Sequence, residues 1–164
     1  MPEKETVERA REDAREGKSP STQAGEFVRE EFDHVREGQH GARSTKQVIA
    51  IGLSKARRAG VNLAAPSTPG VSAETRKHAQ RDYREGQSHS PPTPSARRSR
   101  ATLDALKKEG HGAASPQAIS KQAHASARRR SATERHGAAR KAVRIKAAKK
   151  RGHPAGSRRT GTRG

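Results

Sequence analysis

The sequence predicts a mostly α-helical protein without β-sheet. It divides into a small module of two to three helices over residues 1–63, a Pro/Ser-rich linker over 64–94, and an Ala/Lys/Arg-rich basic arm over 95–164 that is largely disordered or made of isolated helices. Three observations carry this prediction. Only 28% of the 164 residues are hydrophobic and 2% aromatic, with a mean hydropathy of −1.16. A chain so poor in apolar groups and so rich in charge cannot bury enough surface to offset the ordering of its whole backbone. The large apolar residues that do exist crowd into one window: Phe27, Val28, Phe32, Val35, Val48, Ile49, Ile51, Leu53, Val61 and Leu63. Finally, the charge is split. Residues 1–33 hold 6 Lys/Arg against 10 Asp/Glu, whereas residues 95–164 hold 20 Lys/Arg against 3 Asp/Glu, most of the net charge of +19.

The elements follow in order. Pro2 with Glu3, Glu5 and Glu8 opens a first helix, since proline suits the first turn and carboxylates suit the positive end of the helix dipole; Gly17 closes it. Ser21 is the expected N-cap of a second helix, in which Ala24, Phe27, Val28, Phe32 and Val35 recur at helical spacing before Gly38. Ser44-Thr45-Lys46-Gln47 reads as a capping box opening a third helix, with Val48, Ile49, Gly52, Leu53 and Ala56 on one stripe and Gly60 at its end. Residues 64–71 and 87–94 (with Pro91-Pro92-Thr93-Pro94) are linkers, flanking a polar helix over about 72–86. In the arm, helical candidates cover about 96–109, 116–130 and 138–151, and residues 157–163 form a flexible basic end. Residues 40–58 and 111–129 also align at a constant offset: His40-Gly41-Ala42 with His111-Gly112-Ala113, Ser44 with Ser115, Arg57-Arg58 with Arg128-Arg129. The second copy lacks the apolar stripe of the first.

The basic arm carries the functional signal. A mildly acidic head and a strongly basic tail suit a polyanion, and the abundant cellular polyanions are nucleic acids. Phosphates relieve the repulsion among clustered cations, and counterion release makes such binding strong without any reading of bases. The candidate phosphate contacts are Arg43, Lys46, Lys55, Arg57 and Arg58 on the module. On the arm they are Arg97, Arg98, Arg100, Lys107, Lys108, Lys121, Arg128, Arg129, Arg130, Arg140, Lys141, Arg144, Lys146, Lys149, Lys150, Arg151, Arg158 and Arg159. Site-specific reading is less supported. The loop between the second and third helices exceeds the three to four residues of a helix-turn-helix, and Tyr83 alone is a free aromatic for stacking on single-stranded bases.

Other classes lack their residues. There is no cysteine, hence no disulfide or thiolate site. The eight histidines are dispersed, none at i, i+4 spacing with a carboxylate arranged for zinc, so no metal and no cofactor is expected. The paired carboxylates Glu12-Asp13 and Glu30-Glu31 are explained by salt-bridged helix faces. Nothing builds a nucleophile with an oriented base, so no enzyme and no small-molecule substrate is expected. No apolar run reaches a membrane span and no signal-peptide core opens the chain, which leads us to expect a cytoplasmic protein.

The stretches Arg15-Glu16-Gly17-Lys18-Ser19-Pro20-Ser21-Thr22-Gln23-Ala24-Gly25-Glu26-Phe27-Val28-Arg29-Glu30-Glu31, Arg36-Glu37-Gly38-Gln39-His40-Gly41-Ala42-Arg43-Ser44-Thr45-Lys46-Gln47 and Lys55-Ala56-Arg57-Arg58-Ala59-Gly60-Val61 resemble a family of small basic bacterial proteins loosely labelled DNA-binding or plasmid-stabilising. The resemblance covers roughly residues 10–63 and, more weakly, 72–130. It implies a bacterial source and no catalytic residues. The tail resembles bacterial linker-histone-like tails in composition. The expected function is therefore non-sequence-specific binding of nucleic acid, DNA ahead of RNA, in the bacterial nucleoid, with the acidic first helix shielding the arm or meeting a protein partner. The alternatives are a hydrophilin-like stress protectant and an RNA-binding or ribosome-associated protein.

Overall fold

The computed structural model describes residues 2–67, 71–88, 95–129 and 131–151. Among them are seven α-helices, one 3-10 turn and no strand: α1 (Lys4–Arg15), α2 (Pro20–Arg36), α3 (Thr45–Arg58), α4 (Ala73–Gln87), α5 (Ala96–Lys107), η1 (Gly112–Ala114), α6 (Pro116–Arg129) and α7 (Ala132–Arg151). The chain forms two compact units, Met1–Gln122 and Ala123–Gly164, with the boundary inside α6. The expected Pro91–Pro94 linker and the basic end over 157–163 lie outside the described residues.

In the first unit, α2 is the central helix, packed by α1, α3 and η1, while α4 packs on α3. The first three helices end alike. Gly17, Gly38 and Gly60 adopt positive φ (70°, 76° and 93°), and the amide after each donates back to a carbonyl of the last turn: Lys18 to Asp13, Gln39 to His34 and Val61 to Ala56. Only glycine takes this left-handed step without a Cβ penalty, and each such turn satisfies carbonyls the helix leaves open. At the start of α2 the cap is Ser19 rather than Ser21, because Pro20 at the first helical position brings its φ already set. Ser44 caps α3 as expected, its Oγ accepting from the Gln47 amide. The Gln47 side chain, however, reaches back to the amide of Arg43 rather than that of Ser44.

Two apolar clusters flank α2. One joins Ala10, Ala24, Phe27, Ala56 and Val61, with Val7, Leu53, Ala59 and Leu63 against it. The other joins Val35, Ala42, Val48, Ala113 and Ala114, with Phe32 against it. The small residues permit close approach. A Cβ on Gly52 would lie 2.6 Å from Val28 Cα and 2.9 Å from the Phe27 oxygen, both backbone atoms that cannot swing aside. Gly52→Ala is therefore expected to destabilise the unit by about 1–3 kcal/mol through overpacking, although alanine is favoured over glycine by about 1 kcal/mol in a helix interior. Urea unfolding checks it; a variant as stable as the parent would show that α2 and α3 can part without loss.

The first unit extends far beyond residue 63, where the sequence placed its end. Helix α4, expected as an isolated element of a linker, buries Ala79 and Asp82. The Asp82 carboxylate takes Ser54 Oγ at 2.7 Å and Arg58 Nε at 3.0 Å, and Tyr83 donates its hydroxyl hydrogen to Asn62. Tyr83 is thus tied to the fold rather than free for stacking. The two aligned copies also meet. The amides of Gly41 and Ala42 donate to the oxygens of Leu106 and Gly110 at 3.0 Å each, and Thr45 Oγ1 donates to the Ala113 oxygen at 2.7 Å. A Cβ on Gly41 would lie 1.9 Å from the Glu109 oxygen, so the contact requires that glycine. The Ser115 hydroxyl accepts from the Ala118 amide at the start of α6, repeating the role of Ser44, but α6 buries none of its residues. The second copy contributes its first alanines to the core of the first copy. Its helix, without an apolar stripe, contributes nothing there.

In the second unit, every side chain of α7 that the structure describes is exposed, Val143 among them at 67%. No helix among the described residues is long and apolar enough to cross a membrane.

Candidate nucleic-acid interface

The candidate cations fall into two populations. On the module, most are consumed by the fold. Arg43 Nε bonds Glu109 Oε1 at 2.8 Å. Lys55 is ion-paired to Glu30 and Glu31. Arg57, buried, donates to the carbonyls of Leu63, Leu53 and Ala64 at 3.1, 3.4 and 3.4 Å, closing the end of α3 and holding the segment after it. Arg58 serves Asp82, Glu85 and Ser54. Only Lys46 of this set is exposed and joined to no described carboxylate. The expected basic side of the module is therefore largely internal wiring: a cationic residue at a helix end signals capping and ion pairing as readily as a surface, and the sequence alone does not tell which.

On the arm the reverse holds. Arg97, Arg98, Arg100, Lys107 and Lys108 around α5, Lys121, Arg128 and Arg129 on α6, and Arg140, Arg144 and Lys146 on α7 are all exposed, and none is paired with a described carboxylate. Lys141, Lys149, Lys150 and Arg151 also fall on α7 in sequence. Arg130, Arg158 and Arg159 lie outside the described residues. At about 100° per residue, Arg97, Arg100 and Lys107 share one face of α5, with Leu106 on the far side and Leu103 at the edge beside Lys107. Three arginines stand in the first turns of this helix, where the dipole is positive and cations are disfavoured; an anion there relieves both. The Ser95 hydroxyl caps that end by accepting from the Arg98 amide.

A second constellation is buried at the centre of the first unit. Glu31 is fully buried, and neither carboxylate oxygen makes a regular hydrogen bond, although the Lys55 ammonium lies against Oε1. His34, one turn along α2, and His40, in the loop after it, flank the same carboxylate. Burial raises the cost of an ionised carboxylate at Glu30, yet hydrogen bonds from Thr6 and Lys55, the charge of Lys55 and the Glu3 amide hold Glu30 below its usual value of 4.5. Burial likewise opposes the charged form of Lys55, but Glu31 and then Glu30 outweigh it and raise Lys55 above 10.5. A lowered carboxyl contributes stability above its unfolded pKa and loses it as pH falls through the folded value; a raised ammonium contributes below its unfolded pKa and loses it as pH rises through the folded one. Thermal stability should therefore be broad between about pH 4.5 and about pH 10.5 and fall on both sides, the alkaline fall shrinking in Lys55→Met. A melting-temperature profile against pH reads both limbs. The Glu31–His34–His40 group was invisible to a search for i, i+4 pairs, because its spacings are three and nine residues and the loop after Gly38 is what turns His40 back.

Compared with protein-family models, with curated proteins and with solved structures, the chain matches none.

Proposed function

We propose that the protein binds double-stranded nucleic acid, DNA in the first instance, without sequence preference, through the cationic surfaces of α5, α6 and α7. One observation carries the reading: the described cations of the arm are exposed and unpaired with described carboxylates, while of the module's five candidate cations all but Lys46 are spent within the fold, and Lys4, Arg11 and Arg29 stay exposed on its acidic first two helices. The burial of two apolar clusters also favours a folded platform with a binding arm over a hydrophilin-like protectant, which needs no core. The arm gains order when phosphates neutralise its helices, since helices of this charge density lack a core of their own. The reading extends to a cytoplasmic site on the bacterial nucleoid, in line with the family resemblance over residues 10–63.

The test is binding to unrelated duplexes across a salt series. Affinities should agree among sequences and fall linearly with salt on logarithmic axes; no binding at low salt, or binding indifferent to salt, contradicts the proposal. Crosslinking in cells followed by DNase or RNase digestion separates the DNA reading from the RNA one.

A further inference from the structure

We propose that Glu31, His34 and His40 form a binding site for a divalent zinc-class metal ion, one per chain, buried between α2 and the loop that follows it. All three residues are buried, and one donor atom of each lies within 4.8 Å of the others. His40 Nε2 is 3.4 Å from Glu31 Oε2, and His34 Nδ1 is 3.6 Å from Glu31 Oε1. Neither contact is a hydrogen bond, since both Glu31 oxygens lack a hydrogen-bond partner. The two separations are close to the spacing of about 3.4 Å that follows when donors sit tetrahedrally at about 2.1 Å from one ion. Glu31 Oε2 has no hydrogen-bond partner and is fully buried, an arrangement that is costly unless something occupies the gap.

The outer contacts point the same way. His34 Nε2 lies 3.1 Å from Glu3 Oε1, and His40 Nδ1 lies 3.0 Å from the Gly41 carbonyl oxygen. A proton on each of those nitrogens leaves His34 Nδ1 and His40 Nε2 as lone-pair donors facing Glu31. Imidazoles that ligate metals are oriented in this way, by giving the other N–H to a carboxylate or a backbone carbonyl. Two imidazoles and one carboxylate select zinc-class ions over magnesium or calcium, which prefer all-oxygen sites. Charge agrees: with neutral histidines, Glu30, Glu31 and Lys55 leave the pocket one negative charge in excess, and a cation offsets it. The site also has a mechanical sense. His40 begins the loop whose next two amides, Gly41 and Ala42, hold Leu106 and Gly110, so an ion there fastens α2 to the segment that carries η1.

The experiment is zinc titration of the chelator-treated full chain against a chromophoric competitor, with Co²⁺ substitution to report coordination and thermal unfolding to report stability. We expect one ion per chain, a cobalt spectrum of four-coordinate type, a rise in melting temperature with Zn²⁺ but not Mg²⁺, and slower amide exchange at Gly41 and Ala42. His34→Ala and His40→Ala should each abolish the cobalt band. Glu3→Gln, which touches only the outer contact and keeps the fold, should weaken zinc by about 10–100-fold. His78→Ala, at an exposed side chain of α4 away from the group, should change nothing. A folded parent chain with no four-coordinate cobalt band and no zinc-dependent stabilisation overturns the proposal, as does zinc binding that survives unchanged in a folded His34→Ala/His40→Ala double variant.

Discussion

Lys55→Met should destabilise the first unit by about 3–5 kcal/mol when measured in the presence of a chelator. The ammonium faces Glu31 and Glu30, whose side chains are 1% and 2% exposed. Methionine retains most of the stem's packing but leaves two buried carboxylates without their cation, and removing one partner of a buried pair costs about that much. The loss should be larger than for Arg58→Met, whose partner Asp82 keeps Ser54 as a donor and whose own side chain is half exposed; exposed pairs contribute about 0–1 kcal/mol. Urea unfolding of both variants decides the ranking. A Lys55→Met chain within 1 kcal/mol of the parent would mean that a carboxyl of the pair takes up a proton at little cost. Repeating the measurement at pH 5 would then expose the proton uptake as a gain in relative stability.

Ending the chain at Gln122 should remove most of the duplex affinity while leaving the first unit folded. The deletion takes away Arg128, Arg129, Arg140, Arg144 and Lys146 with the other cations beyond residue 122, and leaves both apolar clusters intact. If the full chain engages six to ten phosphates, its affinity drops by about 10³–10⁵ between 50 and 200 mM salt, and each lost contact lowers the slope by about 0.9. The truncated chain should therefore bind weakly even at low salt, with a visibly shallower slope and an unchanged melting temperature. Equal slopes for the two chains would move the interface off the part of the arm beyond residue 122 and overturn the role given to α7. The choice of end point matters. A cut at residue 95 also removes Ala113 and Ala114 from the core, so the loss of binding there has two causes.

The helical class and most helix positions were legible in the sequence because they rest on local chemistry. Apolar spacing in residues 24–35 and 48–56, the Ser44 cap and the three closing glycines all act within a turn or two of themselves. The extent of the first unit was not legible. Ala79, Ala113 and Ala114 are small residues in polar surroundings, and nothing local distinguishes an alanine that fills a core from one that decorates a basic helix. The module's cations misled for a related reason. Lys55 and Arg57 occur where a helix end attracts positive charge anyway, and only the packing of Glu31 and of the segment after Gly60 shows them turned inward. The arm's exposed cations were recognisable, since charge without apolar periodicity has no other place to go.

The docking of η1 bears on how the chain is made. Val35 and Val48 are synthesised some sixty-five to eighty residues before the alanines that cover them. On a growing chain, α1, α2 and α3 can collapse early through Phe27, Ala24 and Ala56, all local in sequence. The far end of the pair stays uncovered until Ala113 and Ala114 emerge. Loop closure over that distance costs only slightly more than over a shorter one, so the delay is one of time more than of free energy. During that interval the open end of the α2–α3 pair is the surface at which a nascent chain is most prone to meet another copy of itself.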